Sequence, residues 1–212
     1  MVGLINGRKY ECRKGNRYSQ VPGRTVVRLD NGHKVLCDTE TDGGGWIVIQ
    51  RRMNGKVDFL RTWDEYKNGF GDFSGDFWVG NNIIHLLTVQ GYRVLRFDLK
   101  YRGTSYFAEY RNFYVKSEDY KYKINFSGYR GTAPDHFYQH ENQWFSTIDR
   151  DNDNSYNDCA NKRKSGWWYN DCQWVNVNGL WRSQGEYTGI YWHDITGPHE
   201  SLDYVEMKVR RE

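Results

Sequence analysis

At 212 residues the chain is long enough for one large domain with a sizeable core, or for one domain carrying a lobe. Aromatic residues make up 17% of it against 38% hydrophobic residues in all, so burial must lean on Trp, Tyr and Phe, which cover much area each and keep a polar handle. The 30 basic and 27 acidic residues are well mixed and leave a formal net charge of +3, which argues against nucleic-acid or membrane-surface binding, and the longest apolar stretch, Trp46-Ile47-Val48-Ile49, cannot cross a bilayer.

Residues 1–6 are too short for a signal peptide, so any export signal is expected to have been removed. Residues 8–42 are polar and turn-rich, and Asp30-Asn31-Gly32 between Val26 to Leu29 and Val35-Leu36 predicts a hairpin. Thr41-Asp42-Gly43-Gly44-Gly45 then leads into Trp46-Ile47-Val48-Ile49-Gln50-Arg51. No Gly-Lys-Ser/Thr follows, so the glycines read as a tight entry into a buried strand and not as a phosphate cradle. Thr62-Trp63-Asp64-Glu65 is a capping box with Gly69 at a helix end, predicting a short helix over 62–68. A second helix is expected over 82–89, with Ile83, Leu86 and Leu87 on one face, Gly91 as its stop and His85 packed or exposed.

From Tyr92 the period changes to two. Strands are predicted over 94–101, 106–115 and 120–126, forming an antiparallel sheet covered on one side by the helices. Regular periodicity fades after Gly131, and residues 132–199 are rich in Asn, Asp and Trp. Tyr204-Val205-Glu206-Met207-Lys208-Val209 alternates cleanly and is expected to rejoin the sheet, which makes the irregular segment a lobe.

Four cysteines fall into two sequence-local pairs, and three pairings are formally possible. Cys12–Cys37 and Cys159–Cys172 is the pairing expected, because each would staple a loop with little hydrophobic sequence of its own. Each ring would add roughly 3 kcal/mol on the chain-entropy model. The rival is a zinc site, for which no CxxC or Cys-His spacing is present. Disulfides place the protein outside the cell, and Asn125-Phe126-Ser127 is a compatible glycosylation sequon.

Within 149–174, five Asp and five Asn crowd around two Cys and three Trp. Asp149, Asp151 and Asp153 alternate with polar residues, and Ser155 and Asn157 continue the spacing. Carboxylates this dense repel one another unless a cation sits among them, and calcium takes six to eight oxygens; a solvated acidic loop fits the sequence equally well. The loop is not an EF-hand, since Asn154 and Ala160 stand where its glycine and glutamate belong. Enzymatic signals are weak. His136 and His140 are four apart without the HExxH glutamate, no GxSxG elbow occurs, and no carboxylate pair stands out for glycoside cleavage. Trp167, Trp168 and Tyr169 could stack on a sugar or fill the lobe's core.

Taken together the residues resemble the fibrinogen C-terminal domain of fibrinogen chains, ficolins, tachylectins, angiopoietins and tenascins, over about Cys12 to Arg210. The resemblance rests on Cys37-Asp38, Thr41-Asp42-Gly43-Gly44-Gly45-Trp46, Ile49-Gln50-Arg51-Arg52, Trp78-Val79-Gly80-Asn81, Ile84-His85-Leu86-Leu87-Thr88, Phe145-Ser146-Thr147, Asp151-Asn152-Asp153, Cys159-Ala160, Gly166-Trp167-Trp168-Tyr169, Cys172, Asn178-Gly179 and Glu206-Met207-Lys208-Val209-Arg210. It implies an α+β fold in one domain, with an N-terminal disulfide subdomain (8–46), a central twisted antiparallel sheet with short helices (47–131 and 200–212) and a loop-rich calcium- and ligand-binding subdomain (132–199). It also implies calcium held by the carboxylates of Asp151 and Asp153 and by backbone carbonyls at Ser155 and Asn157, with Asp149 as a nearby charge.

Lectin members of that family hold an acetyl group beside the second disulfide, using amides around a cis peptide, a following histidine and aromatic walls. The cis bond would fall on Asp171-Cys172, the histidine position is Gln173, and one wall position is Arg163. A later wall falls near Pro198, where only His199 offers a ring, while Tyr187 keeps one wall. Arg163, with Lys162 or Lys164, predicts a preference for acidic or sulfated groups. The resemblance thus implies a secreted, calcium-binding lectin for microbial or other surface glycans, of the innate-immune kind, without a catalytic set. A single sugar site binds weakly, so useful avidity would need a homo-oligomer or copies supplied elsewhere. The alternative is a protein-binding module, a receptor ligand or polymerisation domain.

Overall fold

The cleanly alternating segment near the C-terminus becomes the middle of the main sheet. In the computed structural model, which describes residues 4–5, 8–9, 12, 23–28 and 32–212, the strands in chain order are β1 (Leu4–Ile5), β2 (Arg8–Lys9), β3 (Arg24–Arg28), β4 (Lys34–Asp38), β5 (Trp46–Arg52), β6 (Phe70–Gly71), β7 (Phe77–Trp78), β8 (Val94–Tyr101), β9 (Thr104–Val115), β10 (Ile124–Gly131), β11 (Val175–Asn176), β12 (Tyr191–Trp192) and β13 (Tyr204–Arg210). Among the described residues nine strands form one antiparallel sheet ordered β10-β9-β8-β13-β5-β4-β3, with β7 pairing β5 and β6. β13 bonds to β8 and β5 at once, Met207 lying opposite Phe97 and Gln50. Its alternation divides two environments: Val205, Met207 and Val209 enter the apolar core, while Glu206 and Lys208 are buried on the other face. The expected hairpin is β3–β4, with Arg28 opposite Lys34; Leu29, Asp30 and Asn31 of its turn lie outside the described residues.

Helix α1 (Trp63–Asn68) starts where the capping box places it, with Thr62 N and Oγ1 each 2.9 Å from Glu65 Oε2. Helix α2 (Asn81–Val89) buries Ile83, Ile84 and Leu87, so Ile84 takes the place expected for Leu86, which is half-buried. The helix rotation is set by hydrogen bonds to Val115 of β9. His85 Nδ1 lies 2.7 Å from its carbonyl, and its N–H donates to Thr88 Oγ1 at 3.3 Å. His85 is therefore a packed histidine.

The strand expected over 120–126 begins later. Glu118–Tyr120 forms a 3-10 turn, Lys121 and Tyr122 sit at φ +52° and +49°, and β10 starts at Ile124. Tyr122 turns inward instead, its hydroxyl donating to Asn82 Oδ1 at 2.6 Å, so the segment before β10 is a surface turn anchored by one buried ring. Both disulfides form in the expected pairing, Cys12–Cys37 and Cys159–Cys172.

The lobe is fused to the sheet by aromatic packing. Trp167, Trp168 and Tyr169 have no exposed surface, so they are core and not a sugar-stacking wall. Trp168 Nε1 donates to Tyr122 O at 2.8 Å, and its ring meets Trp78 at 6.1 Å and Phe145 at 5.1 Å. Gly166 before them passes so close to Tyr66 that a Cβ would stand 2.5 Å from its ring, which is why only glycine fits there.

Candidate functional site

The acidic loop brings Asp151, Asp153 and Asp158 together, their carboxylate oxygens within 4.8 Å of one another. Asx turns fold the loop: Asp151 Oδ1 accepts from Asp153 N at 3.1 Å and Asp153 Oδ1 from Ser155 N at 2.9 Å. The second oxygen of Asp153 accepts from Cys159 N at 3.0 Å. Partial burial, with Asp151 beside it, pushes the Asp153 carboxyl up to about 6 despite those amides. Hard-oxygen donors whose charges oppose one another fit a calcium ion, which would remove the repulsion. Asp158, not singled out from sequence, caps α3 (Cys159–Arg163) through Asn161 N at 2.9 Å.

Asp149 stands apart from this cluster. Its Oδ1 accepts from Trp63 N at 2.8 Å and Thr147 Oγ1 at 2.7 Å, so it caps α1 across 86 residues of sequence. Asp149→Ala is expected to lower stability by about 1 kcal/mol in urea unfolding while leaving calcium affinity unchanged; a weakened calcium response would make Asp149 part of the ion site.

The loop is tied to the face beside the second disulfide. Ser155 Oγ donates to Asp171 Oδ1 at 2.5 Å, and the Asp171-Cys172 peptide is cis, as the resemblance implied. Cys172 is joined to Cys159 at the head of α3, whose last residue is Arg163. The Arg163 guanidinium lies 5.1 Å from the Tyr187 ring centre and donates through Nη1 to Glu186 O at 3.3 Å. Gln173 Nε2 donates to Tyr187 O at 3.1 Å. The structure thus brings Arg163, Asp171, Cys172, Gln173 and Tyr187 into one neighbourhood, with Arg163 and Gln173 bonded across it to the backbone of the facing loop. His199 Nδ1 is 3.0 Å from Gln184 O, bracing that loop.

Sequence reasoning missed the aromatic extension of this face. Tyr187 meets Tyr191 edge-on at 5.2 Å, and His193 stacks on Trp174 at 4.5 Å. Trp174 is 38% exposed and Tyr138 50%, large for side chains of that kind. The HxxxH pair divides: His140 is fully buried, whereas His136 lies partly buried beside Trp174, with 12% of its side chain exposed. Asn125 of the sequon is partly buried and its amide donates to Asn142 Oδ1 at 2.5 Å.

Comparison with known proteins gives a consistent answer. The family described as fibrinogen beta and gamma chains, C-terminal globular domain, matches residues 8–212. Tenascin-R of Mus musculus is 44% identical over 182 residues, covering 86% of this chain and 13% of that protein, and Tenascin-R of Homo sapiens is 43% identical over 177 residues, covering 84% and 13%. The chain therefore spans about an eighth of those relatives, as their 13% coverage shows. Among solved structures, the fibrinogen-like globe domain of human ANGPTL2 superposes with a TM-score of 0.85 at 38% identity, covering 92% of this chain and 94% of that one. Lamprey fibrin D-dimer, complexed with the peptide ligand Gly-His-Arg-Pro-amide, gives 0.82 at 32% identity over 92% of this chain and 70% of its own.

Proposed function

The protein belongs to the family of C-terminal globular domains of fibrinogen beta and gamma chains, and from that premise we propose that it is an extracellular protein-binding module that uses the face around Cys172. The observation that carries this reading is the lining itself. Arg163 and Gln173 stand where the lectin pocket would have an aromatic wall and a histidine, and both are hydrogen-bonded to the facing loop. What remains is an arginine over Tyr187, from which rings run through Tyr191 and His193 to exposed Trp174 and Tyr138, and Arg, Trp and Tyr are the residue types that dominate protein-binding hot spots. The relatives support the same direction: the lamprey fibrin structure holds a peptide, and the tenascin and ANGPTL domains share the fold. Two disulfides support secretion.

A glycan ligand is the second reading, favoured by Arg163 and exposed Lys162 and Lys164, which suit sulfated or sialylated groups. Competition separates the two. Capture of extracellular-matrix proteins by the immobilised domain should be weakened by Arg163→Glu and by Trp174→Ala and should persist in an excess of free sialylated, sulfated and N-acetylated sugars. Displacement by the sugars would establish the lectin. Where a single face binds weakly, further copies of the domain would supply avidity.

Calcium would be held by Asp151 and Asp153, with carbonyls at Ser155 and Asn157 and with Asp158 adjacent. Its chemistry there is electrostatic: it neutralises the loop and, through the Ser155–Asp171 hydrogen bond and the Cys159–Cys172 bridge, stiffens the binding face. Asp153→Asn is expected to weaken calcium binding by about tenfold or more, since affinity follows ligand charge, and to abolish the calcium-dependent rise in Tm. An equal rise in both proteins would remove the ion from this loop.

A further inference from the structure

We propose that His136, His193 and Asp194 form a separate site for a divalent transition metal of the zinc class, at the edge of the binding face. His136 leads into the 3-10 turn Phe137–His140, and His193-Asp194 follow β12 directly. The two segments are joined by Trp192 Nε1 donating to Pro134 O at 3.0 Å, and His193 N donates to Trp174 O at 2.9 Å. The three side chains converge. His136 Nε2 lies 2.8 Å from Asp194 Oδ2, His193 Nδ1 lies 2.9 Å from Asp194 Oδ1, and the imidazole rings are 4.7 Å apart. One ligand atom from each residue falls within 4.8 Å of the other two.

Two imidazole nitrogens and a carboxylate oxygen are donors that zinc, cobalt, nickel and copper accept, and calcium does not favour them. Zinc bonds of about 2.0–2.1 Å in a tetrahedron set ligand atoms roughly 3.3 Å apart, so the two nitrogen–oxygen contacts, one to each oxygen of Asp194, need open by about half an ångström while the imidazole nitrogens stay within the same small cluster. A plain carboxylate–histidine cluster explains the arrangement less well. His193 Nδ1 is buried and, although close to Asp194, lies outside hydrogen-bonding geometry, and His136 Nδ1 is likewise buried without a hydrogen-bond partner. The unpaired nitrogen of His193 is thus the one that faces Asp194, whereas His136 meets the carboxylate through Nε2 and its unpaired nitrogen is the other one of the ring. The site is reachable, with the Asp194 side chain 59% exposed and that of His193 37%. Three protein ligands leave a fourth position for water. Trp174, stacked on His193 with an interplanar angle of 18°, supplies an optical reporter within the same cluster.

The test uses the intact domain saturated with calcium at neutral pH, titrated with Zn²⁺ by calorimetry and with Co²⁺ by visible absorption. One equivalent should bind, with the Co²⁺ spectrum of a four-coordinate nitrogen- and oxygen-ligated ion and quenching of Trp174 fluorescence by Co²⁺. Asp194→Asn, which keeps the shape of the side chain, and His193→Gln should each weaken Zn²⁺ binding by about tenfold or more, whereas Asp153→Asn should leave it intact. Absence of stoichiometric Zn²⁺ binding by the unaltered domain overturns the proposal. So does equal Zn²⁺ affinity in Asp194→Asn, which would assign the ion to other histidines. Should His193→Gln fail to fold, the Asp194→Asn comparison and the Co²⁺ spectrum of the unaltered domain still decide.

Discussion

Lys208→Met should destabilise the domain by about 3 kcal/mol or more, the loss expected when one partner of a buried ion cluster is removed. The Lys208 ammonium is buried in the middle of the sheet, 2.6 Å from Asp38 Oδ2, 2.7 Å from Asp98 Oδ2 and 2.8 Å from Glu206 Oε1. Burial disfavours its charge, yet the three carboxylates outweigh that penalty and raise its pKa. Asp38 responds in kind: burial would push its carboxyl up, but Lys208, with Thr41 and Arg24, more than offsets it and holds it well below the usual range. Methionine keeps the packed stem and removes the charge, leaving Arg24, 2.5 Å from Asp38 and 2.9 Å from Glu206, as the half-exposed cation on that face.

In the unaltered domain the depressed Asp38 pKa contributes stability that is present above the unfolded value and is lost only as pH falls through the lower folded value. In the variant Asp38 loses the Lys208 charge that opposes its burial, so its folded pKa rises and less of that stability remains for acid to remove. Urea unfolding at neutral pH and near pH 4 should therefore show the deficit shrinking on acidification. A deficit that is negligible, or that is equal at both values, would contradict the assignment of Lys208 as the compensating charge.

The same residues show how much of the molecule was legible before its structure. Glu206, Lys208 and Asp38 all belong to motifs that carried the family resemblance, and alternation placed Lys208 in a strand, but no period reveals that its solvent-like side is sealed. The Gln50-Arg51-Arg52 and Asn178-Gly179 motifs are a second case. Gln50 Nε2 donates to Val177 O and Asn178 Oδ1 at 2.9 and 3.0 Å, and Arg52 Nη1 to Gly179 O at 2.6 Å, so the two motifs are one scaffold contact between sheet and lobe. Local signals, the capping box and the final strand, were readable because their cause lies within a few residues. The start of β10 was not, since Tyr122 is drawn inward by Asn82, 40 residues away. The acidic loop was visible as composition, yet the division of labour between Asp149 and Asp158 depends on where α1 and α3 begin. His136 and Asp194 are 58 residues apart, and their meeting is a property of the lobe's fold alone.

His140 sets the pH response of the lobe, and its effect should rival that of Lys208. Fully buried in the 3-10 turn, it faces Trp168 O through Nδ1 at 2.7 Å and accepts from Val175 N through Nε2 at 3.2 Å, an arrangement that fits only the neutral ring. Burial lowers its pKa to about 4, and the Trp168 carbonyl only partly opposes the shift. The unfolded chain binds this proton below an ordinary value of 6.5, whereas the folded chain resists it down to about 4. Stability is therefore complete near pH 7 and is lost progressively across that window, by about 3 kcal/mol in all at 1.36 kcal/mol per unit. Asp153, raised to about 6, titrates in the same range with the opposite sign, because a folded pKa above the unfolded one makes acid stabilising. Calcium saturation and comparison with His140→Gln, whose amide can keep both hydrogen bonds, isolate the histidine. The variant should show a much flatter decline in stability between pH 7 and pH 4.5 than the unaltered domain, and parallel declines would place the acid sensitivity elsewhere. Because His140 joins Trp168 to Val175, three residues beyond Cys172, the same protonation should loosen the binding face before the central sheet unfolds.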